Sequence, residues 1–192
     1  SMRDVLTEGP DGMKLIAGGS GLSELLGLSP DLRRHIVSMF SDLKPYFDFL
    51  IVDTAAGIEE NVLDFVEAAD RIIVVVVGEP AAFVDAYASI KILSQESGRE
   101  EFDVVVNMAR DEAHGSEIFN RFKSISSEFL DVKLNHIGTV PHDEFLLQAV
   151  SRCEPIVKCF PEAPAARAIE RIAAAIMTSQ PPEPIGVHRG FF

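Results

Sequence analysis

The chain has 192 residues, 47% of them hydrophobic, and a formal net charge of -13. That is enough apolar material for one globular domain with a substantial core, and no apolar run reaches transmembrane length or reads as a signal peptide. The acidic balance fits ordinary solubility and excludes a broad basic face for phosphates, so direct nucleic-acid binding is not expected.

Ser1-Met2 reads as a remnant of cloning ahead of a chain that begins inside a longer protein, because Arg3 to Leu6 carries no helix-start signal. Met13 to Ala17 is a short apolar run that ends in Gly18-Gly19-Ser20-Gly21. Ser29-Pro30-Asp31 offers a cap and a proline at a first helical position, and Asp31 to Leu43 then places Leu32, Ile36, Met39, Phe40 and Leu43 on one helical face. Phe47 to Val52 is an apolar strand interrupted by Asp48, and Glu59 to Ala69 a helix with Val62, Phe65 and Val66 at helical spacing. Ile72 to Val77 is aliphatic without alternation, the pattern of a strand covered on both faces.

Helix and strand continue to alternate. Ala81 to Leu93 is a helix with Phe83, Tyr87 and Ile90 on one side. Val104 to Met108 is a strand, Gly115 to Leu130 a helix, and Leu134 to Val140 a strand with polar Asn135 and His136 near its start. Glu144 to Val150 and the alanine-rich Pro164 to Met177 are helices. Between them Cys153 and Cys159, the only two cysteines, lack zinc-knuckle spacing and read as reduced thiols. Strands alternating with helices predict an α/β fold with a mostly parallel sheet flanked by helices. The core is expected over residues 3–178, with 179–192 a proline-rich tail running as a strap or linker.

In an open parallel sheet, ligands bind beyond the carboxyl ends of the strands, so the residues after each aliphatic run carry the chemistry. Asp53-Thr54-Ala55-Ala56-Gly57 follows the first such strand. A carboxylate there suits Mg²⁺, directly or through water, and the small residues up to Gly57 let backbone N–H groups approach a phosphate. Taken alone, an aspartate at a strand end is more usually a helix cap or turn residue, and it is the following Thr54 to Gly57 that favours the phosphate and metal reading of Asp53. Asn107 ends another strand, and its amide both donates and accepts, which suits an adenine edge as well as a turn. Pro141 offers a flat apolar surface to a base or simply stops its strand, and Asp143 is most simply the N-cap of the helix from Glu144. Gly18-Gly19-Ser20-Gly21 is a flexible turn and not a phosphate loop, since G-x-x-x-x-G-K-[ST] requires a lysine and a hydroxyl that are not there.

The run FDFLIVDTAAGIEENVLDFVEAADRIIVVVVGEPAAFVDAYASIKIL resembles the switch II segment and following units of FlhG/FleN flagellar-number regulators, within the MinD/ParA group of ATPases with a deviant Walker A loop. VVNMARDEAHGSEIFNRF, FLDVKLNHIGTVPHDEFLLQAV and the opening DVLTEGPDGMKLIAGGSG continue the resemblance over nearly the whole chain. It implies a MinD-like P-loop NTPase fold that lacks its first strand and helix, and ATP or ADP with Mg²⁺ as ligands. It implies further that Asp53 contacts Mg²⁺ through water, Gly57 lies in the loop sensing the γ-phosphate, Asn107 contacts adenine, and Pro141 and His142 pack on the adenosine. The helix after Gly57 and the region of Asp85 resemble dimerisation and docking surfaces, although Asp85 is equally readable as a solvated helix residue.

The same resemblance implies that the phosphate-binding loop precedes the first residue, so the chain alone is expected not to hydrolyse ATP. The parent protein would be a cytoplasmic switch, peripheral to the inner membrane, that dimerises with nucleotide and binds an activator such as FleQ or the GTPase FlhF. Membrane affinity of this chain is expected to be weak, because Phe191-Phe192 only begin an amphipathic segment. Two alternatives stand beside it: a non-catalytic interaction module of the same fold, or another MinD/ParA-group ATPase of chromosome partitioning or cobyrinate synthesis.

Overall fold

A computed structural model describes residues 2–16, 30–54, 63, 65, 66 and 68–179. They fall into two compact units, one ending at Asp70 and the other starting at Arg71.

In the first unit, a 3-10 turn at Met2–Val5 leads into a small antiparallel pair, β1 (Thr7–Glu8) and β2 (Lys14–Leu15). The tight connection uses left-handed backbone at Asp11 and Gly12. Helix α1 (Pro30–Met39) starts on the proline predicted to open it and tightens into a 3-10 helix over Phe40–Tyr46. Phe40, Leu43 and Ala68 form the core, packed by Ile36, Phe47, Leu50 and Phe65, with Phe40 and Phe65 edge to face at 6.3 Å.

The strand expected at Phe47 to Val52 is absent: residues 47–54 form no ladder among the described residues. Phe47 and Leu50 both turn onto the core, a spacing of three that the alternation of a strand does not allow, and Ile51 is left 89% exposed. Residues 63, 65, 66 and 68 are helical as expected. Val62, Gly18 to Gly21 and the tail from 180 lie outside the described residues.

The second unit is a three-stranded parallel sheet in the order β3 (Ile73–Val77), β4 (Glu101–Ala109), β5 (Lys133–Pro141). Helix α2 (Pro80–Ser97) connects β3 to β4, and α3 (Glu112–Ser127) connects β4 to β5. These two helices bring Phe83 and Phe122 together, with ring centroids 5.5 Å apart, and Ile90, Phe102, Val104 and Val106 are all but fully buried. After β5 come α4 (Glu144–Ser151), a single turn α5 (Ile156–Cys159) and α6 (Pro164–Thr178). Val105 and Val140 pack with Ala165, Ala166 and Ala168 of α6 in a second cluster. Alternate residues of β4 therefore serve two layers, as a sheet with helices on both faces requires.

Alanines and glycines let α6 approach closely. A Cβ on Gly138 would lie 2.4 Å from Cγ1 of Ile172, and one on Gly115 of α3 would lie 2.2 Å from Oγ1 of Thr139. β3 is not covered on both faces as its sequence suggests. Among the described residues no strand pairs with its outer edge, and Val75, level with Val105, is 58% exposed, because α6 lies over β5 at the far side of the sheet.

Candidate functional site

At the amino end of the sheet, charges pair with one another. Arg71 donates to Asp103 at 2.8 Å and to the Ser179 hydroxyl at 2.9 Å. Asn135 donates to Glu101 at 2.7 Å and to Asp103 at 3.1 Å, and Lys133 donates to Glu101 at 2.7 Å. The hydrogen bonds from Lys133 and Asn135 hold the Glu101 carboxyl below the usual carboxylate range. Asn135 thus belongs to the strand despite its polarity. His136 does too: its ring stacks on Phe119 at 4.7 Å, and its Nε2 lies 3.1 Å from the Thr139 hydroxyl.

The carboxyl end has a different character. Val77 pairs with Asn107 and Ala109 with Pro141, and the His142 N–H donates to the Ala109 carbonyl at 2.7 Å. Asn107, Pro141 and His142 therefore share one rim, as expected. Between Val106 and Ala109 the register with β5 gains one extra residue in β4, a bulge of the kind that re-aims side chains. Met108 adopts left-handed backbone, φ 57°, at a cost of about 1–2 kcal/mol for a residue with a Cβ. In return its N–H donates to Oδ1 of Asn107 at 2.9 Å. That bond fixes which end of the carboxamide points away: Nδ2 is left as a donor with no partner among the described residues.

Two helix starts hold this rim. Asp111 caps α3 by accepting from the His114 N–H at 2.8 Å, while Nδ1 of His114 accepts from the Arg110 N–H at 3.1 Å. Asp143 caps α4 by accepting from the Phe145 N–H at 2.9 Å, as its position suggests. Its other oxygen accepts from Ala165 at the start of α6, at 3.0 Å. That second bond was not foreseen, although a signal exists. Ala163 cannot cap α6 and Pro164 has no N–H, so Ala165 is the first donor that needs a partner from elsewhere. Nothing in the local sequence announces Met108, Arg110 or His114.

Asp53 lies in the first unit, exposed and in irregular backbone. Gly57 lies outside the described residues. Asp85 is exposed on α2. Among the described residues no group of three His, Cys, Asp or Glu side chains is placed to hold a metal, and no helix is long and apolar enough to cross a membrane. The rim offers an oriented N–H₂ donor at the end of β4 and a prolyl ring at the end of β5, chemistry that suits the acceptor edge and the face of a planar heterocycle.

A family model described as ParA, NUBPL iron-transfer P-loop NTPase, matches residues 29–177. The antiactivator FleN of Pseudomonas aeruginosa is 37% identical over 175 residues, which cover 91% of this chain and 62% of FleN. The flagellum site-determining protein YlxH of Helicobacter pylori is 26% identical, over 92% of this chain and 60% of YlxH. The chain thus spans about three fifths of the length of these relatives. Among solved structures, the cell division protein MinD of Aquifex aeolicus aligns with a TM-score of 0.68 at 23% identity, covering 94% of this chain and 71% of that one. MinD of Pyrococcus horikoshii, solved with Mg-ADP, aligns with a TM-score of 0.66 at 17% identity, covering 93% and 69%. These two likenesses bear on the fold.

Proposed function

Because the chain belongs to the ParA family of P-loop NTPases, falls with the FlhG/FleN group and has a MinD-like fold, we propose that it is the core of an ATP-dependent switch controlling flagellar number or placement. The observation that carries this reading is the bulge at Met108, whose N–H holds Oδ1 of the Asn107 carboxamide and leaves its N–H₂ as a donor on the rim that Pro141 and His142 share. A purine edge presents acceptors to such a donor, and the residues present fit that half of an adenine nucleotide. Asn107 reads the base, and Pro141 and His142 border the adenosine. Asp53 would be the residue that holds Mg²⁺ through water, and Gly57 would belong to the loop that senses the γ-phosphate. When bound, the metal and nucleotide supply the charge that such switches respond to.

The 192 residues contain no G-x-x-x-x-G-K-[ST] sequence. Phosphoryl transfer rests on positioning and charge stabilisation by such residues, so the chain alone does not hydrolyse ATP on this reading. The switch works through nucleotide-dependent dimerisation and binding of a transcriptional activator of the FleQ type, in keeping with the name of the antiactivator relative; the GTPase FlhF is a second partner. The protein acts in the cytoplasm and at the inner membrane, to which this chain by itself binds weakly.

Isothermal titration with ADP and Mg²⁺ tests the reading, comparing this chain with one extended upstream through a GKGGVGKT-like motif. Sub-millimolar affinity is expected in the extended protein alone, and equal affinities count against it. The other reading is a docking module of the same fold that binds no nucleotide. An extended natural chain that still lacks the motif and binds no ADP establishes that instead.

A further inference from the structure

The turn between β4 and α3 contains a contact that helix capping alone does not require. Asp111 already caps α3 through the His114 N–H. The His114 ring then folds back, and Nδ1 accepts from the backbone N–H of Arg110. A backbone N–H can only donate, so Nδ1 carries the lone pair and the proton of the neutral ring sits on Nε2. Arg110 follows Ala109, whose carbonyl accepts from His142, and Ala109 follows the left-handed Met108 whose N–H holds Asn107. From Asn107 to His114 the backbone is thus tied at Met108, at Ala109 and at Arg110. The first tie orients the carboxamide, the second joins the two strand ends, and the third closes the turn from the helix side.

We infer that His114 is a positioning residue of the purine-binding rim, acting through Arg110 and Met108 on the Asn107 carboxamide. The inference rests on the nucleotide reading given above. Left-handed backbone at a residue with a Cβ persists only where its surroundings over-determine it. The Arg110 tie supplies part of that determination. Without it the bulge has a cheaper backbone to relax into, and the Nδ2 donor loses its fixed direction. The phosphate half of the nucleotide has no part in this chain of contacts, so the effect is confined to the base.

The test uses this chain extended upstream through a GKGGVGKT-like motif, titrated with ADP and, separately, with inorganic pyrophosphate, both with Mg²⁺. His114→Ala is expected to weaken ADP roughly 3- to 10-fold, the size of one lost neutral hydrogen bond, and to leave pyrophosphate within about twofold. His114→Asn places a carbonyl oxygen near the position of Nδ1 and is expected to restore ADP affinity. ¹⁵N shifts of the ring are expected to show Nδ1 unprotonated at neutral pH. If Asn107→Ala weakens ADP and His114→Ala does not, the positioning role is overturned while the purine reading stands. Loss of both ligands alike, failure of His114→Ala to fold without rescue by Asn, or a protonated Nδ1 leaves His114 no positioning role and also overturns it. If neither Asn107→Ala nor His114→Ala affects ADP, the purine reading falls and takes the inference with it.

Discussion

Asp143 accepts a hydrogen bond from the backbone N–H of Ala165, 22 residues further along, while capping its own helix at Phe145. One buried carboxyl group thus satisfies the starts of both α4 and α6 and pins the end of β5, where Pro141 and His142 sit, to the helix beneath. Asp143→Ala leaves two helix N–H groups unmet. It is expected to destabilise the chain by about 2–4 kcal/mol in urea denaturation, and Asp143→Asn, which keeps one acceptor oxygen, by roughly half of that.

The close approach of α6 to β5 gives a steric prediction. Gly138→Ala puts a methyl group within 2.4 Å of Ile172 Cγ1. Overpacking of this kind is expected to cost about 1–3 kcal/mol, measured by thermal or urea unfolding. In an Ile172→Ala background the same change is expected to cost clearly less, because the two sites share one contact.

Acid should weaken the amino end of the sheet. The Glu101 carboxyl is held low by Lys133 and Asn135, so its folded-state pKa lies below its unfolded one. Its contribution is fully present above the unfolded value of about 4.3 and is lost as pH falls through the lower folded value. Unfolding free energy measured between pH 6 and pH 3 is expected to decline over the acidic part of that range, and Glu101→Gln to decline less steeply. Parallel curves for the two proteins contradict this.

Ile73 and Val75 are exposed on β3, the edge strand of the sheet among the described residues, and present an apolar template for another chain. Light scattering at rising concentration is expected to show association, and Val75→Lys to reduce it. A monodisperse monomer of the unaltered chain at high concentration counts against edge pairing.

Much of this architecture was legible because periodicity reports burial. Phe83 and Ile90 in α2, and the aliphatic centre of β4, stand where helical and strand spacing put them. The rule that chemistry follows strand ends singled out Asn107 and Pro141, and the two residues do stand at one end of the sheet. Composition cannot say whether an apolar stretch finds neighbours. FDFLIV reads as a strand, yet Phe47 and Leu50 join a local core at a spacing no strand has. Runs of valine imply two covered faces, and β3 has one open face because α6 settles over β5. Long-range contacts are also invisible in sequence: the reach of Asp143 to Ala165, and the notches at Gly115 and Gly138 that admit Thr139 and Ile172.

The adenine-facing role proposed for Asn107 is tested most directly by its own side-chain resonances. In this chain extended upstream through a GKGGVGKT-like motif, the Asn107 carboxamide N–H₂ signals are followed by ¹H–¹⁵N spectroscopy as ADP and Mg²⁺ are added. The expected result is a downfield shift of one Nδ2 proton that saturates with the binding isotherm, together with shifts at Met108 and His142 and a roughly 3- to 10-fold weaker affinity in Asn107→Ala. Saturated ADP binding that leaves the Asn107, Met108 and His142 signals in place would contradict it.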